Sequence, residues 1–361
     1  MWTKPYGTTG VDISVIGFGG MRFNHPADID GSAAVVRYAH SRGINYFDTA
    51  PFYCDDRSEE IMGAAFRTMP RGSFYVSTKC GSADGGELRA SLERSLERLQ
   101  TGWIDFFHIW CLLRPDQLDE RIRKGAIAAA QKAKEEGLIK HLVVSSHLGG
   151  EDNATVLDSG LFEGITIGYN ALNFPFRAKT LEAAARHNVG VVTMNPLGGG
   201  LIPRNAERLA FLKGPQDRDV VQAALRFNVS HPAVTAALVG FSSEREVDEA
   251  MAAVENFKPY PAEHIERVKA GIAGSFDGFC TGCGYCLPCP EEVQIPKMMD
   301  AFNSKILEGS DAAIVDRLKW HWGLTPDAAA ACIECGACES ACTQHLPIRD
   351  RLKAIAALAG K

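Results

Sequence analysis

The sequence predicts an α/β fold: a parallel (β/α)8 barrel over residues 1–258, followed by a smaller, mainly helical unit over residues 259–361. Three observations carry that prediction. Apolar strand-like runs alternate with amphipathic helical stretches from residue 12 to about residue 256. Those runs are continuously apolar, as expected of a parallel sheet whose outer face is covered by helices. Eight of the 11 cysteines fall after residue 279, so the last quarter of the chain has a chemistry of its own.

In chain order, Thr8-Thr9-Gly10 ahead of a β-type run predicts a short hairpin capping the barrel bottom. The strand runs are ISVIGFG (13–19), INYFDTA (44–50), FYVSTK (74–79), IDFFHIW (104–110), HLVVSSH (141–147), ITIGYN (165–170), VGVVTMN (189–195) and AALVGF (236–241). Helical stretches such as SAAVVRYAHSR, SEEIMGAAFRTM, ELRASLERSLERL, AIAAAQKAKEE and RDVVQAALRFNV lie between them. Eight strands, each followed by a helix, is the TIM-barrel pattern. The seventh connection (197–216) is long and Gly-rich at its start, and reads either as a lid over the C-terminal face or as a disordered insertion. FKPYPAE (257–263) reads as a linker, after which a helix leads into the first cysteine run.

A net charge of −6 argues against a nucleic-acid partner held by phosphate neutralisation. MWTKPYGTTG lacks the apolar run of a signal peptide, and no stretch of about 18 apolar residues suggests a membrane span. A cytoplasmic setting is therefore expected. In a reducing cytosol, clustered cysteines are metal ligands or catalytic groups more often than disulfides.

The first run, CTGCGYCLPCP, holds Cys280, Cys283, Cys286 and Cys289; the second, CIECGACESAC, holds Cys332, Cys335, Cys338 and Cys342. Four closely spaced thiolates can wrap one cubane, and Gly282, Gly284, Gly336 and Ala337 let the backbone fold close and aim N–H groups at cluster sulfurs. Zinc is the competing ligand. Structural zinc usually takes two CxxC pairs separated by a dozen or more residues, whereas here the steps run in series. Eight ligands imply two 4Fe-4S clusters. The pattern resembles two-cluster ferredoxin modules, of the helical variety given about 40 residues between the runs. That resemblance implies that three cysteines of one run combine with the fourth of the other, with Cys289-Pro290 suited to cross over. The first run has two residues rather than three before Cys289, which leaves the partition open.

Four residues near strand C-termini form a candidate acid–base constellation: Asp48 and Tyr53 in FDTAPFY, Lys79 in VSTK, and His108 in DFFHIW. Together with TTGVDISVIGFGGMR, LGGG and SSEREVDEAM, these motifs resemble the aldo-keto reductases over roughly residues 5 to 256. The resemblance implies that Tyr53 supplies the proton in carbonyl reduction, Lys79 lowers its pKa, Asp48 holds Lys79, and His108 orients the carbonyl. Each residue alone also has a structural reading. The same resemblance assigns Gly20, Ser145, Ser146, Met194, Asn195 and Glu249 to NAD(P)H, with Thr166 near the carboxamide and Met194 packing on the nicotinamide through its sulfur. At the adenine end, Gly240, Glu246 and Ala250 stand where NADP-preferring members place Lys, Arg and Asn. Glu246 repels a 2′-phosphate, so NADP contacts are not evident, and NAD or loose dinucleotide binding fits as well. Among the scattered thiols, Cys80 is expected to face the helices, while Cys54 and Cys111 lie near the mouth in core or supporting roles.

The combined expectation resembles the ferredoxin-fused branch of the family. It is an oxidoreductase that moves hydride between a nicotinamide and a carbonyl or alcohol substrate, its clusters exchanging electrons with a ferredoxin, a flavodoxin or a redox subunit. Hydride transfer moves two electrons at once, and no flavin signature is present to split them. Three alternatives follow: clusters that are structural or sense oxidation, an electron-transfer protein whose barrel binds a partner or metabolite without turnover, or an additional redox centre such as a flavin.

Overall fold

The computed structural model describes residues 2–275, 278–280, 282, 284, 286–342 and 345–360. β1 (Thr3–Pro5) and β2 (Asp12–Ser14) pair antiparallel as the expected hairpin. Its turn drives Tyr6 into the barrel bottom, where the ring is fully buried and lies 4.4 Å from Phe106, centroid to centroid. Gly164 and Gly190 make this possible. A Cβ at either would stand 2.1 or 2.2 Å from a Tyr6 ring or hydroxyl atom.

Eight strands among the described residues then close a parallel barrel: β3 (Ile16–Gly19), β4 (Tyr46–Asp48), β5 (Tyr75–Cys80), β6 (Ile104–Leu112), β7 (Ile139–Ser146), β8 (Gly164–Gly168), β9 (Gly190–Met194) and β10 (Ala236–Gly240). β10 returns to pair with β3. Each strand lies within or overlaps one of the eight apolar runs. The alternation of side chains sorts β5 into Ser77 and Lys79 facing the lumen and Thr78 and Cys80 facing the helices. Cys80 thus sits in the outer core, as its parity predicted.

The long connection after β9 is packed down. Ile202, Leu209 and Leu212 are buried, and Arg208 donates to the Ile306 carbonyl of the C-terminal unit. It is a clamp between the two units, neither a free lid nor a disordered insertion.

The C-terminal unit is built from helices at Ile295–Glu308, Ala312–Arg317 and Ile348–Ala356 with shorter turns between them. Its own core joins Met298, Met299, Ile314, Leu318, Leu352 and Ile355. The helix Ala262–Ser275, which the sequence places beyond the barrel, buries Val268 and Ile272 in the barrel's core, and Phe279 and Leu307 join them there.

The C-terminal unit rests on the C-terminal rim of the barrel. A π-helical turn at Leu318–Trp322 lays His321 against Gly168, where a Cβ would meet the imidazole at 2.8 Å. Arg177, fully buried, holds the Gly168 carbonyl through Nε at 3.1 Å and stacks its guanidinium 4.8 Å from the Trp322 ring centre. Trp322 in turn donates to Asp300 at 2.7 Å, and Arg317 pairs with the same carboxylate at 2.8 Å. Among the described residues no helix is long and apolar enough to cross a membrane.

Candidate active site and cysteine centre

Lys79 ends β5 inside the lumen with Nζ 2.6 Å from both oxygens of Asp48 and 2.7 Å from the Thr49 carbonyl. Ser77, two residues earlier on the same face, donates to Asp48 at 2.6 Å and lies 3.3 Å from Nδ1 of His108. His108 reaches across to Thr166 through Nε2 at 2.9 Å. Asp48, Lys79 and His108 therefore form one buried network, with Ser77 as a bridge that motif reading passed over. Its signal was its spacing: residue i−2 of a lumen-facing lysine shares that lumen.

Burial is the largest influence on Lys79 and lowers its pKa, with Asp48 opposing. His108 is pushed well below the usual imidazole range by burial and then by the Lys79 charge, so it stands neutral at pH 7.

Tyr53 borders this network from the loop after β4. Its ring centre lies 5.5 Å from Lys79 Nζ, and Trp110 meets the ring edge-on at 5.8 Å. The backbone that presents it is strained, with left-handed φ at Phe52, Cys54, Asp55 and Asp56. Arg98 holds the turn from outside through a two-pronged contact with Asp56 at 2.6 and 2.7 Å. The electrostatics differ from the sequence expectation. Burial, and then the Asp48 charge, raise the Tyr53 phenol far above its ordinary value, where Lys79 was expected to lower it. Cys54 and Cys111 both adjoin this phenol.

The residues assigned to the nicotinamide reach the same rim but are engaged there. Ser145 accepts from the Cys111 N–H at 3.0 Å, beside an irregularity in the β6–β7 register where Cys111 takes φ 67°. Ser146 accepts from Leu148 N–H at 3.1 Å. Met194 is half-buried at the end of β9, paired in register with Gly168, and the Asn195 carbonyl accepts from Asn170 at 3.0 Å. Gly20 donates its N–H to the Asp48 carbonyl at 2.7 Å, and a Cβ there would strike Ser58 Oγ at 2.5 Å. Glu249 lies apart on the helix Glu244–Val254, 3.8 Å from Arg245.

At the start of that helix Glu246 accepts from both the N–H and the hydroxyl of Ser242, at 2.7 and 2.8 Å. Both Ser242 donors at this helix start are thus already held by a carboxylate. A cleft of about 470 Å³ opens beside Lys79, walled by Phe52, Trp110, Ser82, Glu87 and Arg94.

In the C-terminal unit, Cys289, Cys332, Cys335 and Cys338 line one cavity together with Cys286, Ile295, Arg349 and Leu352. Cys280 and Cys342, one from each run, both lie beside Arg351. Cys283 lies outside the described residues. Thiols from the two runs therefore line one cavity together, two from the first run and three from the second, a donor set that suits an iron–sulfur cluster. Two side chains that no motif announced support this arrangement. Asn303 clamps Cys280, accepting from its N–H at 2.8 Å and donating to its carbonyl at 2.9 Å, and Arg351 is the other.

Comparison with known proteins agrees with both halves. The chain matches the aldo/keto reductase family over residues 15–272 and the 4Fe-4S dicluster domain over residues 279–346. It is 29% identical to an L-galactose dehydrogenase of Arabidopsis thaliana over 281 residues, covering 70% of this chain and 87% of that protein. With the D-threo-aldose 1-dehydrogenase of a Pseudomonas species it shares 29% identity, covering 63% and 82%. With the NADH-specific methylglyoxal reductase of Escherichia coli it shares 26%, covering 62% and 73%. Among solved structures, the holo form of an aldo-keto reductase from Bacillus halodurans superposes with a TM-score of 0.66 at 25% identity, covering 75% of this chain and 96% of that one. Its (β/α)8 barrel with the buried Asp48–Lys79 pair, and its interleaved thiols, therefore have one reading: this chain is an NAD(P)-dependent oxidoreductase of the aldo-keto reductase family, fused to a C-terminal domain for two 4Fe-4S clusters.

Proposed function

We propose that the chain interconverts a small carbonyl compound and its alcohol with Tyr53 as general acid and base, and prefers NAD(H). The observation that carries this reading is the Asp48–Lys79 pair at 2.6 Å with Tyr53 on its border. Bound nicotinamide supplies or takes the hydride, and bound clusters supply single electrons. Tyr53, kept protonated by its buried position, gives its proton to the oxygen of the carbonyl as hydride reaches the carbon, and takes it back in the alcohol direction. Lys79 and Asp48 offer that proton a polarised, water-poor surrounding. His108, neutral and held through Nδ1 by Ser77, orients the carbonyl when its Nε2 exchanges Thr166 for the substrate oxygen. Ser145, Ser146, Met194 and Asn195 border the nicotinamide, with Gly20 at the rim and Glu249 toward the adenine.

The preference for NAD(H) rests on Glu246, whose carboxylate occupies the helix start where a 2′-phosphate would need donors. One relative being NADH-specific supports it, and two being sugar dehydrogenases support the carbonyl and alcohol class. We assign the catalytic part to residues 1–258 and the redox part to residues 259–361, with Cys280, Cys283, Cys286, Cys289, Cys332, Cys335, Cys338 and Cys342 as ligands and a small one-electron carrier as partner. The test is Tyr53→Phe in anaerobically purified protein, assayed with NADH against a panel of aldehydes and sugars. Activity falls by about 10²–10⁴-fold while NADH binding persists. Unchanged turnover on every substrate removes Tyr53 from the reaction.

A second reading, clusters without an electron-transfer role, is separated by following cluster absorption on adding NADH. Bleaching links the two units; no bleaching, with full activity after cysteine replacement, favours the structural role.

A further inference from the structure

The cysteines of the two runs lie in two electrostatic surroundings that differ in one respect. At the outer cavity, lined by Cys286, Cys289, Cys332, Cys335 and Cys338, the cations have acids of their own. Arg349 bonds Glu339 at 2.7 and 2.8 Å, and Lys353 pairs with Glu334 at 2.7 Å. At the inner position, marked by Cys280 and Cys342, stands Arg351, only 8% exposed. Among the described residues no Asp or Glu pairs with it. Uncharged groups fix it in place: it donates to the Gly278 carbonyl, and its guanidinium lies 4.7 Å from the Phe302 ring centre. Phe302 adjoins Asn303, the residue that clamps Cys280. Burial bears most on the guanidinium, and Cys280 and Cys342 lie beside it. A buried cation without a counter-ion is costly, and here the thiolates are what balances it.

From this asymmetry we propose that Arg351 is a positioning residue that raises the reduction potential of the inner cluster above that of the outer one. The inference rests on the two-cluster reading of the cysteines. One electron from an external one-electron reductant adds one negative charge to a site. A fixed cation nearby favours that reduced state. Arg351 has its whole charge available for this, whereas Arg349 and Lys353 are neutralised by Glu339 and Glu334. An electron delivered to the protein therefore settles on the barrel side, next to Phe279 in the barrel core, and the outer site with exposed Cys335 is the point of exchange.

The experiment is an anaerobic dithionite titration of the full-length holoprotein followed by electron paramagnetic resonance. Two midpoints are expected, and Cys335→Ser abolishes or displaces the lower one while the higher remains. Arg351→Gln lowers the higher midpoint by at least a tenfold change in its reduction equilibrium, about 59 mV for one electron, and leaves the lower in place. Arg351→Lys keeps most of the separation, and Arg349→Gln shifts neither midpoint as far. A single unresolved midpoint in the wild type overturns the proposal, as does an Arg351→Gln shift that is absent or equal at both sites, or a larger shift from Arg349→Gln. Should Arg351→Gln lose iron, the wild-type and Cys335→Ser titrations decide alone. Iron and sulfide well short of about eight each per chain would remove the two-cluster reading itself, a separate failure.

Discussion

Lys79 and Asp48 face one another inside the barrel with the ammonium 2.6 Å from each carboxylate oxygen, their side chains only 4% and 6% exposed. Removing one partner leaves the other charged in a place water does not reach. Lys79→Met is therefore expected to cost roughly 3–5 kcal/mol of stability as well as activity. Replacing both, as Lys79→Met with Asp48→Leu, restores most of the stability and none of the turnover. Urea unfolding beside NADH oxidation checks this. Equal instability in the single and double variants would show that the pair is not a self-contained unit.

Ser77 connects the pair to His108. Ser77→Ala removes a hydrogen bond to a charged acceptor, a loss of about 1.5–3 kcal/mol, and frees the imidazole to turn. The expected signature is a lower kcat with little change in the KM for NADH. A KM effect alone would place Ser77 in cofactor binding instead.

Glu246 holds the start of its helix with a charge. Glu246→Gln keeps an acceptor for Ser242 and removes the repulsion, so kcat/KM for NADPH relative to NADH rises about tenfold, equivalent to ~1.4 kcal/mol. An unchanged ratio would mean that the adenosine ribose lies elsewhere.

Two buried histidines, His108 and His321, and the half-buried His147 make stability depend on acidity. His147 is pushed down to about 3 by burial and by Arg177, while burial, aided by nearby cations, holds His108 and His321 well below the ordinary 6.5. The unfolded chain binds protons at these rings below about pH 6.5 and the folded chain does not. Stability is thus full above the unfolded value and is lost as pH falls beneath it, by about 1.4 kcal/mol per pH unit for each ring. Urea midpoints at pH 7.5 and 5.5, compared between wild type and His147→Gln, should show the variant less acid-sensitive by about that increment. Identical sensitivity would show that His147 takes up a proton in the fold.

Much of this was legible in the sequence because the physics was local. Eight apolar runs became eight strands, and Asp48, Lys79 and His108 met because strand ends in a parallel barrel converge. What stayed hidden depends on packing between distant segments. Asn303 lies 23 residues from the cysteine it clamps, and Arg351 donates to a carbonyl 73 residues away. Neither has a motif. The phenol of Tyr53 shows the same division: its neighbours could be named from spacing, but the depth that dominates its acidity could not. Glu246 lay between, since its charge was read against a 2′-phosphate while its hold on Ser242 is a matter of packing.

The helix Ile295–Glu308 places Met298 and Met299 in the core of the C-terminal unit and Leu307 in that of the barrel. A single rod about 21 Å long is thus sunk into both bodies, and a rod so shared leaves no hinge. The cluster-bearing half cannot swing upward like a visor to admit reactants over the β8 and β9 rim. The cleft walled by Phe52 and Trp110 is lined by no residue of the C-terminal unit. The fused redox module is thereby fixed to one side of the barrel and leaves that cleft uncovered.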